Sequence, residues 1–216
     1  MAAPRPTRQF PDQPLPPPGP RATTVSRPGG RSSSVRRRVL DAVRTHLAEH
    51  GYDALSVDAV ADRSGVHRTT VYRRWRDVGG LLADALTEAI DDTWSPTDTG
   101  TLDGDLHAVN REVYAALTAE PPVTAALIAA SFRSEQAAAA LRSFWADRYD
   151  RCAAIVHRAV DRREIPAGTD PRRLLVAATA PLYHELLLLR TLPDPRLAEQ
   201  AAHATATAAR AGAFTD

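Results

Sequence analysis

The sequence predicts an all-helical protein in two parts: a small N-terminal three-helix unit that carries a helix-turn-helix, and a larger helical unit behind it. Three observations lead there. Apolar residues recur at spacings of three and four from Val35 onward, and no segment alternates with the period of a strand. Helix-starting pairs, Asp170-Pro171 and Asp194-Pro195, each place a cap before a proline at the first helical position. Charge is divided along the chain, with 14 Arg against 7 acidic residues through Gly80 and 13 against 19 beyond it, although the net charge is only +1. A basic front part and an acidic remainder point to nucleic acid as partner of the first.

Taken in order, residues 1–34 hold nine of the 17 prolines and five Arg without apolar periodicity, so they are expected to form a disordered tail. Met1 to Gln13 offers no apolar run for a signal peptide, so the tail is expected to stay on the protein. Val39, Leu40, Val43 and Leu47 predict a helix over 35–50, capped by Ser34 and stopped by Gly51. A second helix fits Val57 to Ser64, with Ser56 as N-cap and Asp58 in the first turn. Gly65 supplies a turn, and a third helix spans about 67–74. A fourth runs from Val78 to Trp94 behind the stripe Leu81, Leu82, Ala85, Leu86 and Ile90. Ser95 to Gly100 is the expected hinge. Further helices are expected over about 103–119, 122–132, 136–163, 171–190 and 195–211, giving a DNA-binding domain over 35–80 and a second domain over 81–216.

Composition excludes several chemistries. All 27 basic residues are Arg, which removes Schiff-base and P-loop lysines, and Cys152 is the single cysteine, which removes disulfides and thiolate clusters and fits a reducing, cytoplasmic location. The longest apolar stretch, Leu174 to Leu189, contains Pro181, His184 and Glu185, which argues against a membrane span. No cofactor motif, nucleophile elbow or His-Glu-x-x-His occurs, and Cys152 has only Arg151 as a basic neighbour in sequence. The seven His show no metal-ligand spacing, and His184 and Glu185 point about 100° apart on a helix. Neither enzyme nor metal protein is expected.

Function is concentrated between Ser56 and Arg76. Gly65 permits the left-handed backbone of a tight turn and Val66 can plug the space between two short helices. The helix HRTTVYRRW keeps Val71 and Trp75 for the core, four residues apart. Arg68, Thr69, Thr70, Tyr72, Arg73 and Arg74 remain outside, and Arg76 sits close by. Arginine can pair bidentately with guanine, threonine can meet base edges, and a tyrosine hydroxyl can reach a phosphate. Arg runs on a helix are usually solvated faces, so it is the register of the turn that points to DNA.

That register resembles the DNA-binding domain of the TetR/AcrR family of transcriptional regulators. The resemblance covers Val35 to Leu86 and is carried by Gly51, Tyr52, Ser56, Gly65, Val66, Tyr72 and Trp75. It departs at His67, where a small hydroxyl cap is usual, and at Val78, where a phosphate-gripping lysine is common; Asp77 can cap the fourth helix instead. The resemblance implies DNA contacts from Ser56, Arg68, Thr69, Thr70, Tyr72, Arg73, Arg74 and Arg76. It also implies a pocket for a small hydrophobic effector in the second domain. Mid-helix position makes Tyr114, Phe132, Trp145, Tyr149 and Tyr183 the candidates to line that pocket, against a background in which most aromatics are simply core.

Two readings from different classes remain at this level. One is a ligand-responsive regulator, a repressor released from a palindromic double-stranded operator. The other is a helical small-molecule-binding protein or enzyme with a vestigial DNA-binding domain. A homodimer is expected because Leu174, Leu175, Val176, Leu182 and Leu186 to Leu189 surround nearly the whole helix, more than one neighbour in the same chain covers. Pairing that helix and the last one with their symmetry mates gives an isologous four-helix bundle.

Overall fold

The computed structural model describes residues 30–88 and 93–215. It consists of α1 (Gly30–His50), α2 (Val57–Ser64), α3 (Arg68–Trp75), α4 (Val78–Thr87), α5 (Leu102–Leu117), α6 (Val123–Ser131), α7 (Glu135–Asp161), α8 (Pro171–Tyr183), a π-helical continuation of α8 over His184–Leu189, and α9 (Arg196–Arg210). No strand is present among the described residues. A single β-bridge between Thr169 and Thr215 holds the end of the chain beside the start of α8.

Side-chain caps set most of the helix starts. Ser56, Asp77, Thr101, Ser134 and Asp170 each accept a hydrogen bond from the backbone N–H three residues on, satisfying a donor that the helix itself leaves open. Three boundaries differ from expectation. α1 begins at Gly30 rather than 35, so Ser34 lies inside the helix; the Arg74 guanidinium donates to the Ser32 carbonyl and hydroxyl and gives this extra turn a tertiary partner. The rest of the expected tail, residues 1–29, lies outside the described residues. The helix expected to reach Trp94 is described to Thr87, and Ile90 lies outside the described residues. Trp94 itself stands in the following loop, where its N–H donates to Glu112 Oε2 at 2.9 Å. In α8, Pro181 has no N–H for the ladder and its ring crowds the preceding turn, and the helix widens into the π-helical segment shortly after.

Two main cores result. The first gathers Leu40, Val43 and Leu47 of α1, Val60 of α2, Val71 and Trp75 of α3 and Leu81, Leu82, Ala85 and Leu86 of α4. It continues without a break into Leu127 and Ala130 of α6 and Ala137 of α7. The buried face of α4 thus belongs to a core that spans the boundary expected between residues 80 and 81, meeting α1 and α3 on one side and α6 and α7 on the other. The second core joins α5, the latter half of α7, α8 and α9 through Leu106, Ile155, Leu174, Leu175 and the alanine face Ala202, Ala206 and Ala209.

Two buried polar groups fix how the second core sits. Asp105 is fully buried, accepts from the Thr99 backbone N–H and hydroxyl at 2.6 and 2.7 Å, and pairs with Arg158 at 3.1 Å, which moors the Asp98–Gly100 loop. Asn110 is also fully buried, and its amide donates to the carbonyls of Ala178 and Ala198, setting α5 against both α8 and α9.

The leucine-rich stretch is less exposed than its composition suggests. Leu174, Leu175 and Leu182 are buried within the chain, and Leu186 packs beside Leu182 and Ala198. α5 and α9 supply more cover than a single neighbour. Val176, Leu188 and Leu189 remain exposed, at 40%, 69% and 57%.

Candidate DNA interface and effector cavity

The turn between α2 and α3 is built as its residues require. Gly65 takes φ 62°, which a side chain would disfavour, and Val66 is buried with its N–H donating to the Ala61 carbonyl. Val71 and Trp75 then point into the core and turn the opposite face of α3 outward. His67 serves as the N-cap after all: its Nδ1 accepts from the Thr69 N–H at 3.4 Å and pairs with the Thr69 hydroxyl at 2.8 Å.

The eight residues expected to meet DNA fall into two groups. Thr70, Arg73 and Arg76 present side chains that make no hydrogen bond or ion pair among the described residues, and Tyr72, 41% exposed, has only Arg68 as a partner. The others already have internal partners. Arg68 pairs with Asp58 and lies over the Tyr72 ring at 5.3 Å. Thr69 is tied to His67, the Ser56 hydroxyl accepts from the Ala59 N–H, and Arg74 is folded back onto Ser32 with its guanidinium 5.1 Å from the Trp75 ring. Arg68 and Thr69 are nonetheless exposed and on the same face.

Behind this face an ion-pair network joins α1, α3 and α4. Asp84 receives the Arg36 guanidinium at 2.8 and 3.0 Å and the Trp75 indole N–H at 2.8 Å, while Glu88 bridges Arg36 and Arg44 at 3.1 and 2.8 Å. Burial pulls the Asp84 carboxyl upward, but the Arg36 guanidinium and the Trp75 N–H outweigh it and hold the group below its ordinary value. The core side of α3 is therefore bonded to α4. Gly80 brings the two closer still, since a Cβ there would sit 2.1 Å from the Trp75 carbonyl oxygen.

A second contact joins the N-terminal unit to the α6–α7 turn. Arg133 pairs with Asp53 at 2.9 Å and covers the Tyr52 ring at 5.2 Å, and the Tyr52 hydroxyl donates to the Arg133 carbonyl at 3.4 Å.

An apolar cavity of about 240 Å³ lies between α4, α5, α6, α7 and α8. Of the five aromatic residues expected to line such a pocket, Trp145, Tyr149 and Tyr183 do so, with Trp145 stacked on Tyr149 and edge-on to Tyr183. Tyr114 and Phe132 do not. Tyr114 packs with Leu182 and Ala198 away from the cavity, and Phe132, at the end of α6, is 81% exposed. Residues not expected at a pocket join the wall, among them Leu86 from α4, Leu127 and Ile128 from α6, Glu112 from α5, and Arg148 from α7. The Arg148 guanidinium lies 4.0 Å from the Trp94 ring centre and 5.1 Å from that of Phe144. An arginine four residues after an aromatic on one helix was the available signal for this arrangement.

Burial around the cavity disfavours the charged forms of three side chains. Burial raises the phenols of Tyr183 and Tyr149, and it pushes the Cys152 thiol up to about 11 despite Arg148 and Arg158 nearby. Those two arginines, rather than Arg151 next in sequence, are the cations near this thiol. Alkylation of Cys152 by iodoacetamide at pH 8 should accordingly run about two orders of magnitude slower in the folded protein than in the urea-unfolded chain, because so little thiolate is present. Mass spectrometry of timed quenches checks this. Among the described residues, no three potential metal ligands cluster and no helix is long and apolar enough to cross a membrane.

Comparison with known proteins agrees with this geometry. Residues 39–85 match the family of bacterial regulatory proteins of the tetR type, and residues 96–205 match the tetracyclin repressor-like C-terminal domain. The chain is 33% identical over 157 residues to the HTH-type transcriptional regulator AqdR of Rhodococcus erythropolis, covering 71% of this chain and 74% of that protein. It is 36% identical over 157 residues to a DNA-binding transcriptional repressor TetR of Mycobacteroides abscessus, covering 68% and 80%. A solved TetR transcriptional regulator from Agrobacterium tumefaciens superposes with a TM-score of 0.63 at 19% identity, over 83% of this chain and 98% of that one. Helix-turn-helix, core and relatives together establish that the chain belongs to the TetR family of bacterial transcriptional regulators.

Proposed function

We propose that this regulator acts in the cytoplasm as a repressor, held on a palindromic operator as a homodimer and released by a small hydrophobic effector. One observation carries the reading: α4 touches both ends of the mechanism. Leu86 forms part of the cavity wall, and Asp84, two residues earlier, bonds the Trp75 indole of the DNA-reading helix. An effector that prefers one placement of α4 shifts the population of head positions by that difference in affinity and no more. The TetR repressor relative supports the direction of control.

The dimer reading now rests on Val176, Leu188 and Leu189, a smaller apolar strip than the sequence alone implied, because the alanine face of α9 is buried within the chain. A two-fold axis there presents two α3 helices to successive major grooves about 34 to 36 Å apart.

Fluorescence anisotropy with operator fragments recovered by genomic selection tests the proposal. Affinity should fall steeply with salt. Tyr72→Ala and Arg73→Ala should each weaken binding across sequences by about 1–3 kcal/mol, while Thr70→Ala should change which bases are preferred. Absence of any sequence-selective binding removes the regulator reading. A chemically broad set of apolar ligands that shifts neither melting temperature nor DNA affinity removes the effector and leaves constitutive binding.

A further inference from the structure

The charged groups of the cavity wall are engaged within the chain itself. Among the described residues, Glu112 and Arg148 are the ionic side chains of the wall, and they are of opposite sign. The Glu112 carboxylate accepts from the Trp94 indole N–H, and the Arg148 guanidinium lies against the Trp94 and Phe144 rings. Arg172, 5.7 Å from the Tyr149 ring centre, is not part of the wall. The phenols of Tyr149 and Tyr183 differ from these groups, because neither hydroxyl makes a hydrogen bond among the described residues. Burial raises both, and the Tyr149 phenol adds to the rise at Tyr183, so the two hydroxyls stand near each other in apolar surroundings. A donor held there without an acceptor costs free energy that an acceptor on a ligand recovers.

We infer that the effector is an uncharged, planar aromatic molecule carrying a carbonyl or equivalent acceptor, to which the Tyr149 and Tyr183 hydroxyls donate. This rests on the effector reading above and narrows it to one chemical class. An ion of either sign would enter apolar surroundings whose own charges are already engaged, and would bring its charge in without a counter-ion. The aromatic side of the wall favours a flat ring system. Trp145 is stacked on Tyr149 with 5.8 Å between ring centres and is edge-on to Tyr183 at 5.5 Å, so ring faces and ring edges are both offered in one place. The remainder of the ligand meets Leu86, Leu127 and Leu141, which also pack in the N-terminal core, and this side calls for hydrocarbon rather than further polar groups. Tyr149 and Tyr183 are then the residues that set specificity: a hydrocarbon of the same shape fills the same volume but leaves both donors without a partner.

Prodan, an uncharged dimethylaminonaphthalene that carries an ethyl ketone, tests this on the full-length protein. Its comparisons are the same ring without the ketone and the same ring with a carboxylate in the ketone's place. Titration calorimetry should give the ketone an affinity about tenfold above either comparison. Tyr149→Phe and Tyr183→Phe should each weaken the ketone by about three- to tenfold and leave the affinity of the parent ring unchanged. The emission of bound prodan, which moves to the blue when its carbonyl loses a hydrogen bond, should shift in both variants. If either variant misfolds by circular dichroism, the three ligands compared on the wild-type protein still decide the matter. A carboxylate or parent ring that binds as tightly as the ketone overturns the inference, as do two folded Phe variants with wild-type affinity for the ketone. Failure of all three naphthalenes to bind, while other apolar ligands lower operator affinity, overturns it and leaves the effector reading standing. Failure of every apolar ligand to shift either melting temperature or operator affinity overturns both.

Discussion

Replacing Asp84 by alanine should lower stability by about 2–3 kcal/mol, because it strips the partner from the Arg36 guanidinium and from the Trp75 indole N–H in one step. In a chain of this size that corresponds to a melting temperature lower by roughly 5 to 10 °C in differential scanning calorimetry. Operator affinity should fall as well, since the core side of α3 loses its bond to α4. Asp84→Asn keeps an acceptor for the indole but discards the charge, and should fall between the two. Acid dependence separates the contributions. The Asp84 carboxyl stands below its ordinary value in the folded protein, so its stabilisation is complete above about pH 4 and is lost as pH falls through the folded value. Denaturant titrations between about pH 5 and pH 2.5 should show a smaller loss of stability for the Asn variant than for wild type. Equal slopes would mean that another carboxylate carries the acid sensitivity.

Gly80→Ala is the other change with a large expected effect. The added methyl meets the Trp75 carbonyl oxygen, a backbone atom that cannot swing aside. That carbonyl also accepts from the Asp77 N–H, and Asp77 in turn caps α4 through the Gly80 N–H at 2.9 Å. The α3–α4 junction must open, at a cost of about 1–3 kcal/mol. Because the strain falls on the last residue of the DNA-reading helix, DNA affinity should drop more than the melting temperature alone implies. Gly79→Ala is the control at the neighbouring position, where the methyl meets the flexible end of the Gln136 side chain, which can rotate away, and comes within 3.0 Å of the Ser134 hydroxyl, which needs to give by only a few tenths of an ångström. A Gly80→Ala protein with wild-type operator affinity would show that the junction does not set the pose of α3.

The helix-turn-helix was legible because its signals are local. Gly65 needs its φ, Ser56 needs a helix to cap, and Val71 and Trp75 leave one face free, all within 20 residues. What escaped reading depends on contacts far apart in sequence. α1 extends past Ser34 because Arg74, some forty residues away, binds its first turn. Trp145, Tyr149 and Tyr183 meet at the cavity only because α7 and α8 pack face to face, whereas Phe132, equally apolar and equally helical by pattern, sits at a helix end in solvent. The leucines of α8 were over-read for a similar reason: periodicity states how much of a helix is apolar, not how many neighbours in its own chain will cover it. Asn110 and Asp105 gave no sequence signal at all, since nothing in a single chain distinguishes a buried polar side chain from a solvated one.

The unbroken N-terminal core bears on how such regulators can be recombined. Leu127 and Ala130 of α6 and Ala137 of α7 are as much a part of that core as Leu40 or Trp75. A chimaera made by grafting residues 30–88 onto another regulator's effector part would leave their places to be filled by foreign side chains, and Tyr52 without the arginine that covers it. Exchange of DNA-reading heads between relatives is thus constrained by a small internal seam on α6 and α7. A transplant that carries Leu127, Ala130, Arg133 and Ala137 along with the head takes its own half of that seam with it.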